Sequence, residues 1–210
     1  MGKVYEALDD RLVGFIRRQK LFFVATAPLS AEGRVNLSPK GYDSLAILDS
    51  HTLAWIDLGG SGIETLAHLK ENGRITLMFC AFEGAANILR LYGRGEAVAF
   101  DHPRFIELME LFPRFTRARA VILVHIERVA DSCGWGVPFF EYGGDRDQLA
   151  RWVDARPLEE WKTRRFETNG ASIDGLPGLT HTNPKQTSGY SRSRSSRRER
   201  PPLANRPPDG

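Results

Sequence analysis

Cysteine is scarce in this chain of 210 residues: only Cys80 and Cys133 are present, and neither belongs to a CxxC pair. Two cysteines are too few for a disulfide framework, and the missing CxxC spacing argues against a zinc ribbon or a dithiol redox site. The five histidines show no HxxxH or HExxH spacing. We therefore expect structural histidines and no metal site.

Long apolar runs are also missing. No stretch approaches the roughly 20 residues that a bilayer-spanning helix needs, so we do not expect a membrane protein. The N-terminal segment carries Glu6, Asp9 and Asp10 and has no apolar core before a small-residue cleavage site, which is unlike a secretory signal. We expect a cytoplasmic protein.

Positive charge is concentrated at the C-terminal end. From Thr180 to Gly210, seven basic residues stand against two acidic ones, so this segment carries more than the whole net charge of +3. It is rich in proline and serine and cannot bury enough apolar surface to offset the entropy of ordering. We predict one folded domain over residues 1–179 and a disordered basic tail over 180–210. Alternating Ser and Arg at 191–195 would allow weak nucleic-acid binding; a solvated extension without a partner is the alternative.

Within residues 1–179 the pattern is one of strands joined by short turns, with a few helices. Apolar spacing between Leu8 and Ile16 predicts an opening amphipathic helix. Such spacing of elements favours a mainly β fold, an antiparallel barrel or sandwich with short peripheral helices, over a doubly wound parallel sheet. Strands are predicted at 21–27, 34–38, 52–58, 74–81, 88–100 and 120–130, and further helices at 62–71, 103–111 and 146–155.

The segment at 56–65 is the most informative for chemistry. It places three glycines between a strand and a helix, so that backbone N–H groups could converge on a phosphate at the positive end of the helix. Ser61 and Thr65 could add hydroxyl donors. The alternative is a capping box, in which Ser61 caps the helix and Glu64 bonds back to the cap. Neither GxGxxG nor GxxxxGK(S/T) is present, which argues against a Rossmann fingerprint and a P-loop.

Two further candidates for chemistry carry less information. The loop at 133–138 holds two glycines and a proline around Trp135, which is either a core side chain or a wall for a flat ring. Ser61 lies in no GxSxG elbow, so a hydrolase triad has little support.

Five segments occur in a distinctive order: RVNLSPK at 34–40, LAWID at 53–57, the Gly-Ser-Gly helix start at 60–62, ENGRITLMF at 71–79 and RLYGRG at 90–95. Taken together they resemble the pyridoxamine 5'-phosphate oxidase-like family of FMN-binding split barrels. The likeness is clearest over 13–100 and extends to about 137. It implies FMN as the cofactor and a homodimer with two flavin sites at the subunit interface.

The resemblance also implies how the flavin would be held. The start of strand 34–38 and the end of strand 52–58 would lie along it, and the helix start would hold the phosphate. The matching positions are Arg34, Val35, Asn36, Leu37, Ile56, Asp57, Ser61, Gly62 and Thr65, with Asn87 and Arg90 near the place where the partner subunit would contribute polar groups.

This chain departs from the family pattern in two places. The family usually has a basic pair at the helix start, where this chain has Gly62 and Ile63, so Arg34 or Lys40 would have to supply the charge. The substrate motif of the oxidase contains a histidine, whereas 164–169 has none. We therefore expect an FMN-dependent oxidoreductase acting on a small molecule other than pyridoxamine phosphate. A non-catalytic protein that binds flavin, deazaflavin or haem is the alternative.

Overall fold

The computed structural model describes residues 2–180, so the predicted tail lies outside the described residues except for Thr180. The strands are β1 (Val4–Tyr5), β2 (Phe22–Thr26), β3 (Asn36–Lys40), β4 (Leu45–Ile47), β5 (Thr52–Asp57), β6 (Arg74–Cys80), β7 (Ile88–Ala99) and β8 (Ala120–Ser132). The helices are α1 (Asp10–Arg18), α2 (Glu64–Asn72), α3 (Phe105–Met109), α4 (Gln148–Asp154) and α5 (Leu158–Thr168).

The strands form one curled sheet in the order β3-β2-β6-β7-β8-β5-β4, with β1 added beside β8. Every strand pair is antiparallel. β3 and β4 are the two ends of this order, so the barrel is open between them. The predicted fold class, a mainly β antiparallel split barrel with short peripheral helices, is confirmed.

Side-chain alternation divides the sheet into an inner and an outer face. Phe22, Val24 and Thr26 of β2 are buried, whereas Phe23 and Ala25 between them are only partly covered. This period of two is what a strand with one face on the core requires. The outer face of β2 and its neighbours is therefore available to contact another surface.

Two hydrophobic cores hold the sheet in shape. The main core fills the barrel, where Leu12 of α1 and Leu66 of α2 pack against Trp55 and Phe79. A smaller core lies behind β5 and β8, where Phe105 of α3 packs with other apolar side chains. Because β5 and the first part of β8 are covered on both sides, burial is nearly continuous over Thr52–Asp57 and over 120–124. These contacts hold the end of β5 beside the start of β8, and the loop before α2 leaves the sheet at this point.

The structure shifts some predicted boundaries. The strand predicted at 34–38 runs from Asn36 to Lys40. It includes Pro39, which has no N–H to donate and is tolerated because β3 is an edge strand with a neighbour on one side only. The helix predicted at 62–71 begins only at Glu64. It ends at Gly73, whose φ of 69° lets its N–H bond the Leu69 carbonyl at 3.0 Å before β6 starts. β1, β4 and α5 were not predicted.

Candidate functional site

A groove of about 590 Å³ lies between the start of β3 and the loop that precedes α2. Six of the predicted site residues line it, and Thr168 with the segment after it forms the opposite wall. The predicted residues that the structure brings together here are Arg34, Val35, Asn36, Leu37, Ser61 and Gly62.

The loop before α2 is not a capping box. α2 starts at Glu64 with Ile63 at the N-cap position, and no side chain bonds the cap. Ser61 lies two residues too early to cap this helix, so the capping interpretation is wrong. The N–H groups of the first turn of α2 therefore have no side-chain cap to satisfy them.

Buried side chains hold the carbonyl groups of this loop. Arg165 Nη1 donates to the carbonyls of Gly59 at 3.1 Å and Gly60 at 3.3 Å. Arg119 Nη1 donates to the carbonyls of Gly60 at 3.3 Å and Gly62 at 2.6 Å. Asn169 Nδ2 donates to the Ser61 carbonyl at 3.2 Å. Four consecutive carbonyls thus point into the protein.

The N–H groups of the same peptides point the other way. A trans peptide places its C=O and its N–H on opposite sides, and no peptide bond in the described chain is cis. The N–H groups of Gly60, Ser61, Gly62 and Ile63 are therefore turned away from the interior, on the side where Ser61 and Gly62 are exposed to the groove.

Asp57 lies beneath this loop and is almost fully buried. Its Oδ2 accepts from Arg119 Nη2 at 2.8 Å and Nε at 3.0 Å, and its Oδ1 accepts from the Gly59 N–H at 3.1 Å. Burial alone would raise the pKa of Asp57, but the charges of Arg119 and Lys40 outweigh it and hold the pKa below its usual value. Asp57 is thus an ionised partner for Arg119.

Ile56 and Asp57 line a separate cavity of about 210 Å³ and do not reach the groove. Lys40 lies in this cavity too, with its Nζ 5.0 Å from the centre of the Trp55 ring. Burial lowers the pKa of Lys40. As flavin contacts, Ile56 and Asp57 remain predictions.

Asn36 is held by a chain of buried polar groups. Its Nδ2 donates to Thr26 Oγ1 at 3.1 Å and to Thr65 Oγ1 at 3.0 Å, and Thr26 Oγ1 lies 3.0 Å from His68 Nδ1. Thr65 is therefore behind the groove and supports Asn36. His68 is only half satisfied, because its buried Nε2 has no hydrogen-bond partner in the described structure.

Two carboxylates also stand at the groove. Arg34 forms an ion pair with Asp174, whose Oδ2 also accepts from the Arg34 backbone N–H at 2.7 Å. These hydrogen bonds from Arg34 lower the pKa of Asp174. Glu64 lines the groove, and its Oε1 accepts from the Ile173 N–H at 3.3 Å. The groove therefore combines N–H donors and Arg34 with two acidic side chains.

The remaining predicted residues, Asn87, Arg90 and Trp135, lie near the start of β7 and after the end of β8. Arg90 Nη1 donates to Ser132 Oγ at 3.0 Å. Asn87 is in close backbone contact with Gly134, and the adjacent Trp135 is 86% exposed. Trp135 is thus not a core side chain within one chain. Asn87, Arg90 and Trp135 do not line the groove of the same protomer.

Comparison with known proteins identifies the family of this chain. The family model described as pyridoxamine 5'-phosphate oxidase matches residues 8–133. The chain belongs to the pyridoxamine 5'-phosphate oxidase family. It is similar to ustO of Aspergillus flavus, a pyridoxamine 5'-phosphate oxidase family protein, with 36% identity over 195 residues that cover 83% of this chain and 77% of that protein.

The chain is also similar to solved structures that are more distant in sequence. HupZ of Group A Streptococcus is 24% identical, with a TM-score of 0.45, and the match covers 58% of this chain and 91% of HupZ. An FMN-binding protein of Syntrophomonas wolfei is 17% identical, with a TM-score of 0.40, over 51% of this chain and 74% of that one.

The described residues contain neither a metal-binding cluster nor a membrane-spanning helix. Over residues 2–180, no group of three or more His, Cys, Asp or Glu side chains is arranged to hold a metal ion. Over the same residues, no helix combines the length and the apolar character needed to cross a membrane.

Arg119, Arg165 and Asn169 were missed from the sequence as parts of the site. Nothing in the local pattern marks Arg119, which follows a run of mixed basic and apolar residues. Arg165 and Asn169 fall in the segment that drew attention only because it lacks a histidine. Their role depends on the packing of α5 under the loop, a contact between distant parts of the chain.

Proposed function

We propose that this protein is an FMN-dependent oxidoreductase that acts on a small molecule. The observation that supports this most strongly is the groove in which outward-facing N–H groups of the loop at 60–63 lie opposite Arg34. The family resemblance assigns the flavin phosphate to this same helix start. Anions bind well where several backbone N–H groups and a helix N-terminus point at one place.

The donor set fits a phosphate. The N–H groups of Ser61 and Gly62 are free of the capping interaction, and Ser61 adds a hydroxyl at the groove. Arg34 supplies a positive charge once its pairing with Asp174 is exchanged for the ligand. The negative charge of Glu64 repels an anion, and its carboxylate lies beside Gly62. The Glu64 side chain therefore has to turn away from Gly62 when a phosphate enters.

Asn36 would orient the ring end of the flavin. Both hydrogens of its amide are used on Thr26 and Thr65, so the carbonyl oxygen of the amide is left as an acceptor on a half-buried side chain. β3 is an edge strand, so part of its backbone also lacks a neighbouring strand to bond. These groups can bind the polar edge of an isoalloxazine ring.

The flavin would carry the redox chemistry by accepting and returning a hydride or electrons. The residues of this chain would bind and orient it and exclude water from one face. Arg165 and Asn169 are directed at the loop and 164–169 has no histidine, which supports a substrate other than that of the oxidase. A substrate other than pyridoxamine phosphate is part of the proposal, as is a cytoplasmic location.

A homodimer would complete the site. Leu37, Ala25, Thr76 and Tyr92 follow one another across four strands on the outer face of the sheet, and Leu37 is 63% exposed. Arg90 shares this face through its pairing with Met78. If two copies pack through this face, Asn87 and Arg90 of one copy can approach the groove of the other.

The absorption spectrum of the purified full-length protein tests the proposal. We expect flavin bands, and the released cofactor to co-migrate with FMN in chromatography. A haem or deazaflavin spectrum would contradict FMN as the cofactor. A protein that stays colourless after incubation with FMN and gel filtration would contradict flavin binding. A flavin that is never reduced by any small molecule would favour the non-catalytic alternative.

A further inference from the structure

We propose that Arg119, Arg165 and Asn169 are positioning residues that make the groove selective for a phosphorylated ligand. They turn the loop at 59–62 outward and supply positive charge from beneath it. The inference rests on the proposed function, because it concerns the same phosphate position.

Hydrogen bonds to its carbonyls fix the orientation of the loop at 59–62. Glycine-rich loops have many accessible backbone conformations, so their N–H groups do not converge without a constraint. Here each carbonyl from Gly59 to Gly62 accepts from a buried side chain. These hydrogen bonds hold four consecutive peptides in the same orientation, with their carbonyls facing inward. Their N–H groups are left on the outer side.

The packing of α5 holds Arg165 against the loop. Trp161, Arg165 and Asn169 recur at every fourth residue and are all nearly fully buried, so they form one face of the helix and its C-terminal cap. Trp161 packs 5.6 Å from Phe100, and the Arg165 guanidinium lies 4.7 Å from the Trp152 ring centre. The arginine is thereby held against the loop.

The side chains that touch the loop from below carry a net positive charge. Two guanidinium groups and one carboxylate touch the loop from below: Arg119, Arg165 and Asp57. The surplus of one positive charge is buried and is screened little by salt. Each cation also polarises the peptide whose carbonyl it contacts, which strengthens the opposite N–H as a donor to an anion. This charge is supplied although positions 62 and 63 carry no basic side chain.

The experiment compares FMN with riboflavin, which lacks the phosphate. Dissociation constants are measured by quenching of flavin fluorescence with the full chain. We expect Arg165→Met to weaken FMN binding roughly 10-fold or more, which is the effect of one charge-assisted hydrogen bond from the loop to the phosphate that is lost when the loop is no longer held. Riboflavin binding is expected to change by less than about twofold, since the affected group is absent from that ligand.

Two further variants separate positioning from general effects. Arg164→Met removes the same charge from the exposed neighbour of Arg165, and should leave the FMN dissociation constant unchanged. Asn169→Asp keeps the acceptor for Arg119, removes the donor to the Ser61 carbonyl and adds a negative charge that cancels the surplus beneath the loop, so it should also weaken FMN more than riboflavin. This isosteric change tests the inference even if Arg165→Met does not fold.

The outcomes are distinguishable. If FMN and riboflavin weaken equally in Arg165→Met and Asn169→Asp, these residues support the fold and do not select the phosphate, and the inference fails. An unchanged FMN affinity in both variants would also overturn it. If the unaltered protein binds the two flavins equally, the proposed phosphate site itself is wrong.

Discussion

Glu64 places a negative charge where the proposed ligand is also negative. It is the first residue of α2, it lines the groove, and a side chain at position 62 would collide with its carboxylate. A carboxylate at a helix start is normally favourable, since it interacts with the helix dipole. Glu64 thus stabilises the helix start without ligand, and its charge repels an anion that enters beside Gly62.

Replacing Glu64 with glutamine should therefore tighten FMN binding. Removing one half-buried like charge near the phosphate is worth about 1 kcal/mol, or roughly fivefold in the dissociation constant. Glu71→Gln, at the other end of α2, makes the same charge change away from the groove and should have no effect on the FMN constant. Weaker or unchanged FMN binding in Glu64→Gln would show that Glu64 does not face the phosphate.

His68 is a second residue with a measurable consequence, because it is buried as a neutral base. Burial lowers the pKa of His68, and the nearby carboxylates of Asp174, Glu64 and Glu71 do not compensate for this. The unfolded chain takes up a proton at this residue near pH 6.5, whereas the folded chain takes it up only at lower pH. Acid therefore favours unfolding.

The free energy of unfolding should fall as the pH drops below about 6.5, by at most about 1.4 kcal/mol per pH unit from this residue. Above that pH the histidine is neutral in both states and contributes no slope. His68→Asn removes the titration and should flatten the dependence between about pH 5 and 6.5. Urea unfolding at several pH values provides the comparison, and equal slopes in both proteins would refute this reading of His68.

At the scale of elements, Asp57 and Arg119 join the end of β5 to the start of β8 beneath the loop at 59–62. Both side chains are buried, and Arg119 makes contacts with Asp57, two loop carbonyls and Asn169. A buried pair of this kind contributes little net stability against an apolar pair, but removal of one partner leaves an uncompensated charge.

Arg119→Met should lower the free energy of unfolding by about 3–5 kcal/mol. Arg104→Met removes the exposed ion pair with Glu96 and should cost less than about 1 kcal/mol. Chemical denaturation of the two variants decides between these expectations. Equal small losses would mean that the Asp57–Arg119 pair does not hold β5 and β8 together.

The sequence was sufficient for the elements whose apolar pattern is simple. β2, β5, β6, β7 and β8 were placed within a few residues, because alternating or continuous burial leaves a direct trace in the residue types. β4 was missed because three residues give no readable period. α5 was missed because its buried face carries Arg165 and Asn169, so the helix lacks an apolar stripe.

The site was predictable only in part for the same reason. The glycine segment and the strand at Asn36 share a groove, as the resemblance implied. The carbonyl contacts that orient the loop come from residues far away in the chain, and no local pattern encodes them. The capping box failed because the helix starts three residues later than Ser61, which tertiary contacts decide.

At the scale of the whole molecule, the outer sheet face is expected to form a homodimer. Ala25 lies near its middle, between Leu37 and Thr76 on the adjacent strands. Light scattering at micromolar concentration should give twice the mass of one chain. Ala25→Glu should shift the equilibrium to the monomer, and Ala155→Glu, at an exposed position directly after α4, should not. A monomer in the unaltered protein would remove the shared flavin site.

The relative affinity of the unaltered protein for FMN and riboflavin tests the central claim most directly, because the two ligands differ only in the phosphate that the groove at Ser61 and Gly62 is proposed to hold. Equilibrium titrations with the full chain, under one buffer and salt condition, give both dissociation constants. We predict that FMN binds at least about tenfold more tightly than riboflavin. Equal affinities would contradict the assignment of the phosphate to this loop.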